Sequence, residues 1–117
     1  MIPERLRLWA AALREPGRKQ CSGAMNDSEG RQCCLDVAVD VYNAANPDEA
    51  IAPAYRRKHY ATMPYDVAGW FGVAKNPELQ NAVGDEDTAC SWNDGRQATF
   101  GEIAEMVDRL ADTCRKC

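Results

Sequence analysis

A long amphipathic helix near the C-terminal end of the sequence restricts the possible folds of this chain more than any other feature. Thr99 and Glu102 have the spacing of a capping box, in which each side chain hydrogen-bonds to the other residue's backbone amide at a helix start. The apolar residues that follow recur with helical period: Phe100, Ile103, Ala104, Val107, Leu110, Ala111 and Cys114. We therefore predict a helix from Thr99 to Cys114 with one continuous apolar face, which must be covered by other elements.

Three further segments predict helices that can cover this face. Residues 4–14, residues 34–45 and a short segment after Met63-Pro64 each space their apolar side chains with a helical period. In the second of these, the pattern leaves Asp36 and Asp40 for the solvent side. Gly72 suits the end of the third, because glycine readily adopts the left-handed conformation found there.

The segments between these helices carry turn signals. Residues 26–30 look like a turn between two short extended pieces, which predicts a β-hairpin between the first and second helices. Residues 47–63 hold two prolines and no sustained apolar stripe, so we expect a mobile loop. Residues 74–92 predict another loop with at most one helical turn. The expected fold is mostly α (α+β): one domain over residues 1–117, with about four helices and a short hairpin.

Charge argues against nucleic acid as a partner. Lys and Arg number 14 against 18 Asp and Glu, which gives a net charge of −4 and a field that repels phosphate. Residues 78–112 are the most acidic part, with nine carboxylates against Arg96 and Arg109. Such a surface can keep a domain soluble, or it can meet a basic partner protein. No apolar run is long enough to span a bilayer and none follows Met1 as a signal core, so we expect a cytoplasmic protein with no membrane partner.

The six cysteines raise the question of thiol chemistry. Cys33 and Cys34 precede a predicted helix, whose start could stabilise a nucleophilic or metal-binding thiolate, but we favour buried thiols that pack as small apolar groups. Cys114 and Cys117 form a C-x-x-C that could complete a zinc site with Cys21, Cys33 or Cys34. A second regular pair is missing, so we expect no metal and no cofactor. Whether any cysteines form disulfides is left open.

Two groups of polar residues are candidates for binding a ligand. Arg56 and Arg57, followed by Lys58 and His59, could contact phosphate or an acidic partner surface. His59 has no nearby nucleophile to activate, so we expect a solvated side chain and no catalytic base.

The second group lies around the start of the last helix, where free amides favour an anion. Gln20, Cys34, Asn93 and Asp94 are its predicted members. Turn formation alone also explains Asn93-Asp94-Gly95. The phosphate loop, dinucleotide fingerprint and nucleophile elbow are all missing from the sequence, and we expect no catalytic residues.

Several fragments of the chain occur in an order that resembles a known family. They are Trp9-x-x-x-Leu13, Gln20, Cys33-Cys34-Leu35-x-Val37-Ala38-x-Asp40, Met63-Pro64-x-x-Val67-x-x-Trp70-Phe71-Gly72, Asn76-Pro77-x-Leu79, and Asn93-Asp94-Gly95 ahead of Thr99-Phe100-x-x-Ile103-Ala104. The family consists of small hypothetical proteins from actinobacteriophages and their bacterial hosts. The chain departs from its pattern at Asp36, where Gly is usual, and at Gln32, where Tyr is usual.

The resemblance implies a setting and no assigned activity. It suggests a phage accessory protein made inside a bacterial host, with no catalytic role of its own. We expect it to bind a host or phage protein through the acidic C-terminal surface or the basic loop, and so to modulate host machinery. The alternative is a protein that binds or sequesters a small anionic ligand, such as a nucleotide-like signal. The sequence does not indicate the oligomeric state.

Overall fold

The last helix packs against the first. A computed structural model describes residues 1–57 and 61–113, in which α1 spans Pro3–Leu13, α2 Cys34–Ala45, α3 Pro53–Arg57, α4 Tyr65–Phe71 and α5 Phe100–Asp112. The most extensive contact between elements is that of α1 with α5, and α2 also packs on α1. The apolar stripes predicted for these helices meet in one core whose largest fully buried side chains include Trp9, Phe71 and Ile103. The predicted α+β fold of about four principal helices is therefore confirmed.

The helix ends follow the predicted chemistry. The Glu102 amide donates to Thr99 Oγ1 at 3.2 Å and the Thr99 amide donates to the Glu102 carboxylate at 2.9 Å, so the capping box is present. Gly72 ends α4 with φ of 73°, in the left-handed region, and hydrogen-bonds back to Ala68. The predicted end of the last helix, Cys114, lies outside the described residues.

The hairpin lies at a different place from the predicted one. The two-stranded antiparallel sheet is formed by β1, Glu78–Gln80, and β2, Glu86–Thr88, within the segment predicted to be a loop. Three-residue strands with acidic side chains give a weak strand signal. Residues 14–33 contain only isolated bridges, in which Gln32 pairs with Gln20 on one side and Asn26 on the other. The polar side chains of this segment point into hydrogen-bonded clusters rather than alternating across a sheet.

Residues 47–57 contain more regular structure than a loop. A 3₁₀-helix spans Pro47–Glu49, and α3 follows after Ala52. Proline at the first position of each helix supplies the required φ without losing a useful amide. The predicted mobility of residues 47–63 stays a prediction.

None of the described helices has both the length and the apolar character that crossing a bilayer requires. α5, with its single apolar stripe and charged outer side, packs its buried face inside the domain.

Candidate functional site

The structure brings Asn93, Gln20 and Cys34 together between α2 and α5. Asn93 lies in a single π-helical turn, Ser91–Gly95, and its side chain is only 1% exposed. Its Oδ1 accepts from the Cys34 amide at 3.1 Å and from Gln20 Nε2 at 2.9 Å. Its Nδ2 donates to the Cys21 carbonyl at 2.8 Å and to an oxygen of Asp94 at 2.6 Å. Asn93 therefore joins two separate backbone groups, at Cys34 and Cys21, and two side chains, those of Gln20 and Asp94, through one amide group.

Gln20 holds the start of α5. Its Nε2 also donates to the Ala98 carbonyl at 2.7 Å, and its Oε1 accepts from the Phe100 amide at 3.1 Å. The Phe100 amide is one of the donors that a helix start leaves without an intrahelical partner. Gln20 and the capping box thus accept hydrogen bonds from the backbone amides of Phe100 and Glu102, which an anion would otherwise bind.

Gln20, Cys34, Asn93 and Asp94 were predicted to line a pocket, and they are neighbours. The part of Cys34 that faces this cluster is its backbone amide, because its thiol donates to the Ala89 carbonyl at 3.5 Å. The hydrogen bonds of Gln20 and Asn93 are made within the protein, and they explain the cluster as a link between α2 and α5. A ligand-binding role for these residues stays a prediction.

Arg56 lies in a second cluster, against α2. Its guanidinium is almost fully buried and contacts Asp36 through Nε at 2.9 Å and Nη2 at 2.8 Å, and Asp40 through Nη2 at 2.7 Å. Gln32 Nε2 donates to both carboxylates, each at 2.7 Å. Arg56 therefore neutralises the carboxylates of Asp36 and Asp40. The predictions made for the Arg57 side chain, for Lys58 and for His59 lie outside what the structure describes.

Asp40 completes this cluster at its more exposed side. Arg18 Nη1 contacts Asp40 Oδ2 at 2.9 Å. Partial burial acts to raise the pKa of Asp40, but hydrogen bonds from Gln32 and Arg18 and the charge of Arg56 outweigh burial, so the pKa lies below the usual value of 3.8. Asp40 is thus held ionised between two arginines.

The thiols of Cys33 and Cys34 are buried in the core. Burial raises the pKa of Cys33 to about 12 and that of Cys34 well above its usual value. The Cys33 thiol lies 3.5 Å from Met25 Sδ, which is an apolar setting. This matches the interpretation of the pair as small core groups, since a nucleophile requires an accessible thiolate. The proposed partners Cys114 and Cys117 lie outside the described residues, and among residues 1–57 and 61–113 no three side chains are grouped to hold a metal ion.

Four exposed glutamates lie on the hairpin and on α5, and we call this group the acidic face: Glu78, Glu86, Glu102 and Glu105. None of them forms an ion pair within the described ranges. By contrast, Asp108 and Asp112 of α5 are paired with Arg7 and Arg14 of α1. The carboxylates of α5 next to α1 are therefore neutralised, and at the hairpin Asp85 and Asp87 are paired with Arg96. The four glutamates alone keep an unneutralised charge among the acidic residues named here, within the described ranges.

A small pocket lies within the acidic face. It has a volume of ≈ 210 Å³ and separates the hairpin turn from α5, with Trp92, Ala98 and Met106 as apolar lining and Glu102, Glu105 and Arg109 as charged lining. Val83, at the hairpin turn, also lines it and is 82% exposed. An apolar lining with a charged surround is the usual composition of a contact site for another molecule.

Comparison with known proteins places the chain in a family. The model of a domain of unknown function, DUF8296, matches residues 1–111, which cover every element from α1 through most of α5. The chain belongs to the DUF8296 family. No curated protein and no solved structure matches it.

In this DUF8296 chain, the buried Asp36–Arg56 pair is the main polar feature that the sequence did not reveal. Asp36 was predicted to face solvent, and this is wrong: it is 1% exposed. Its charge is tolerated because Arg56, Gln32 and Asn26 all donate to its carboxylate. One signal was available, since the two departures from the resembled pattern, Asp36 and Gln32, are hydrogen-bonded to each other.

Proposed function

We propose that this DUF8296 protein is a phage accessory protein that acts in the cytoplasm of a bacterial host as a noncatalytic binding module. Its partner is a host or phage protein with a basic surface, and binding modulates the partner's activity. The observation that carries this proposal is the α5–hairpin pocket, with the exposed Val83 of the hairpin turn on one side and the carboxylates of Glu102 and Glu105 of α5 on the other.

The pocket combines the exposed apolar side chain of Val83 with carboxylates of α5. Val83 is the most exposed large apolar residue described, and it borders a pocket that also has Trp92 and Met106 in its lining, so a partner seated there would bury these apolar groups together. Glu105 lies beside the pocket with no ion-pair partner among the described residues. A lysine or arginine of a partner would neutralise Glu105 while an apolar neighbour packed on Val83.

Affinity capture from a bacterial host lysate tests the proposal with four forms of the chain. The wild type is expected to retain a protein at moderate salt, and Val83→Asp and Glu105→Lys are each expected to lose it. Glu29→Lys is the matched control, because Glu29 is an exposed carboxylate in the turn after Asn26 and lies outside the acidic face. The control should retain the same protein as the wild type.

Retention by all three variants, or by none of the forms, would count against the proposal. The capture should also weaken with rising salt, because the exposed charges that carry it are screened over about 10 Å at 0.1 M ionic strength. Capture that is unchanged between low and high salt would exclude the acidic face as the main contact.

The alternative, a binder of a small anionic ligand, is less well supported by the same contacts. The amides at the start of α5 and the guanidinium of Arg56 already have partners within the protein. An increase in thermal stability on adding nucleotides would nevertheless favour this alternative over the first proposal, because a ligand that binds the folded state stabilises it.

A further inference from the structure

A second pocket lies between the end of α2 and α4, away from the acidic face. It has a volume of ≈ 480 Å³ and is lined by Tyr42, Asn46, Glu49, Asp66 and Trp70. None of these residues takes part in the clusters around Asn93 or Arg56. The pocket therefore needs an explanation of its own.

The two carboxylates of this pocket have no cationic partner in the part of the chain that the structure describes. Neither Glu49 nor Asp66 forms an ion pair within residues 1–57 and 61–113. Glu49 accepts a hydrogen bond from the Tyr42 hydroxyl at 3.3 Å. Burial raises the pKa of Tyr42, and the negative charges of Glu49 and Asp66 raise it further. The charges of both carboxylates therefore act on the Tyr42 hydroxyl, which places them on the same pocket.

Two aromatic rings complete the lining. Trp70 and Tyr42 meet edge to face with ring centroids 6.0 Å apart. The guanidinium of Arg5 lies 4.4 Å from the Trp70 ring centroid and is held there by a hydrogen bond to the Trp70 carbonyl. The indole thus already stacks with one organic cation on one side, and its partly exposed remainder borders the pocket.

We propose that this pocket binds an organic cation, namely a primary ammonium or guanidinium group on a short aliphatic stem. The cationic head would lie between Glu49 and Asp66, and the stem would pack on the rings of Tyr42 and Trp70. Aromatic faces attract such cations, and the attraction adds to that of the carboxylates. A divalent metal fits poorly, since Ca²⁺ and Mg²⁺ require about six oxygen ligands or several retained waters.

The head group can belong to a free amine or to a basic side chain of another protein. The proposal does not depend on the acidic face, because the two pockets share no residue. A negative result for one proposal therefore does not count against the other.

Titration of the full ¹⁵N-labelled chain with n-butylammonium at neutral pH tests the proposal. A saturable shift of the Trp70 indole N–H signal is expected, with the signal assigned by its loss in Trp70→Phe. The neutral isostere n-butanol is expected to leave the signal unchanged at the same concentrations. Ethylguanidinium should reproduce the shift, and ionic strength is held constant throughout.

Carboxylate variants make the test specific. Glu49→Gln and Asp66→Asn keep the shape of each side chain and are each expected to weaken binding about fivefold, the upper range for an exposed ion pair. Glu29→Gln, in the exposed turn after Asn26 and outside the lining of both pockets, is the matched control and should bind as the wild type does. The remaining amide signals report whether each variant is folded.

Three results would overturn the proposal: no saturable shift with either cation, an equal shift with n-butanol, or unchanged affinity in both carboxylate variants. A capped lysine dipeptide distinguishes the two sources of the head group. Tighter binding of this dipeptide than of n-butylammonium indicates a partner's side chain, and the reverse order indicates a free amine. Both orders support the pocket as a site for an organic cation.

Discussion

Asp36 of α2 is buried, and the arginine that pairs with it comes 20 positions later in the chain. A buried carboxylate without such a partner would be strongly unfavourable, whereas a paired one adds little stability over apolar side chains of the same size. The contribution of Arg56 is therefore best seen as fixing where α3 lies on α2. It sets the position of a segment that has few apolar contacts of its own.

Replacement of Arg56 by methionine should destabilise the protein strongly. Arg56→Met leaves Asp36 buried without a cation, and we expect the free energy of unfolding to fall by about 3 kcal/mol. The matched control is Arg31→Met, which removes an exposed pair with Asp27 and should cost less than about 1 kcal/mol. Urea unfolding followed by circular dichroism measures both. Equal losses in the two variants would contradict the role given to Arg56.

Asp40 gives stability a dependence on pH. Its pKa in the folded protein lies below 3.8, so its contribution is present above the unfolded pKa and is lost as pH falls through the folded value. We expect wild-type stability to fall more steeply than that of Asp40→Asn between about pH 5 and pH 3. Urea midpoints across this range provide the comparison. Parallel curves would show that Asp40 is not held ionised by its neighbours.

Individual residues show most clearly what could not be predicted from the sequence. Helical periodicity placed Asp36 on the solvent side because the pattern counts polar residues as exposed, and it cannot show that a distant arginine returns to cover one of them. Cys33 and Cys34 were interpreted correctly as core groups, since a thiol needs no distant partner to be buried.

At the scale of elements, the join between α1 and α4 depends on one glycine. A Cβ at Gly72 would lie 2.8 Å from the Met1 Cα, and the residue has φ of 73°. The backbone of the N-terminal segment therefore passes directly over the end of α4, where the Ile2 amide donates to the Phe71 carbonyl at 3.0 Å.

Two alanine substitutions in the same helix should act in opposite directions. Gly72→Ala must shift Met1 and strain the left-handed backbone, and we expect a loss of more than about 1 kcal/mol. Gly69→Ala meets no atom within 4 Å and should raise stability by about 0.5 kcal/mol or more, because alanine favours the helix. Thermal unfolding of both variants is the measurement. A stable Gly72→Ala protein would show that the N-terminal segment can move without cost.

Elements with strong local signals were predicted well. α2 has the predicted bounds, and the capping box of α5 is present, because both depend on residues that lie close together in sequence. The hairpin was misplaced because Leu79 is the only buried residue of its strand β1, which gives almost no alternating pattern. Gln20 and Asn93 were correctly grouped, but their hydrogen bonds to backbone at α5 and α2 depend on tertiary positions that no local pattern contains.

At the scale of the whole molecule, the reactivity of the cysteine thiols measures unfolding of the whole domain. Cys33 and Cys34 lie in the core with raised pKa values, whereas Cys21 is partly exposed. Under native conditions we expect a thiol-specific reagent to label Cys21 before Cys33 and Cys34, whose labelling must wait for unfolding. Peptide-resolved mass spectrometry follows each site. In urea above the midpoint all three should react at similar rates, and rapid labelling of Cys34 in the native protein would contradict the core described here.

The packing of α1 on α5 also bears on how the chain is made. The ion pair of Arg14 with Asp108 joins residues 94 positions apart, and the apolar stripe of α1 lies against the same distant helix. A ribosome adding about 5–20 residues per second needs on the order of ten seconds to reach α5 after releasing α1. During that interval Leu6, Trp9 and Leu13 have no native cover from α5. Until α5 has been made, the apolar stripe of the nascent first helix is therefore surface that chaperones can bind.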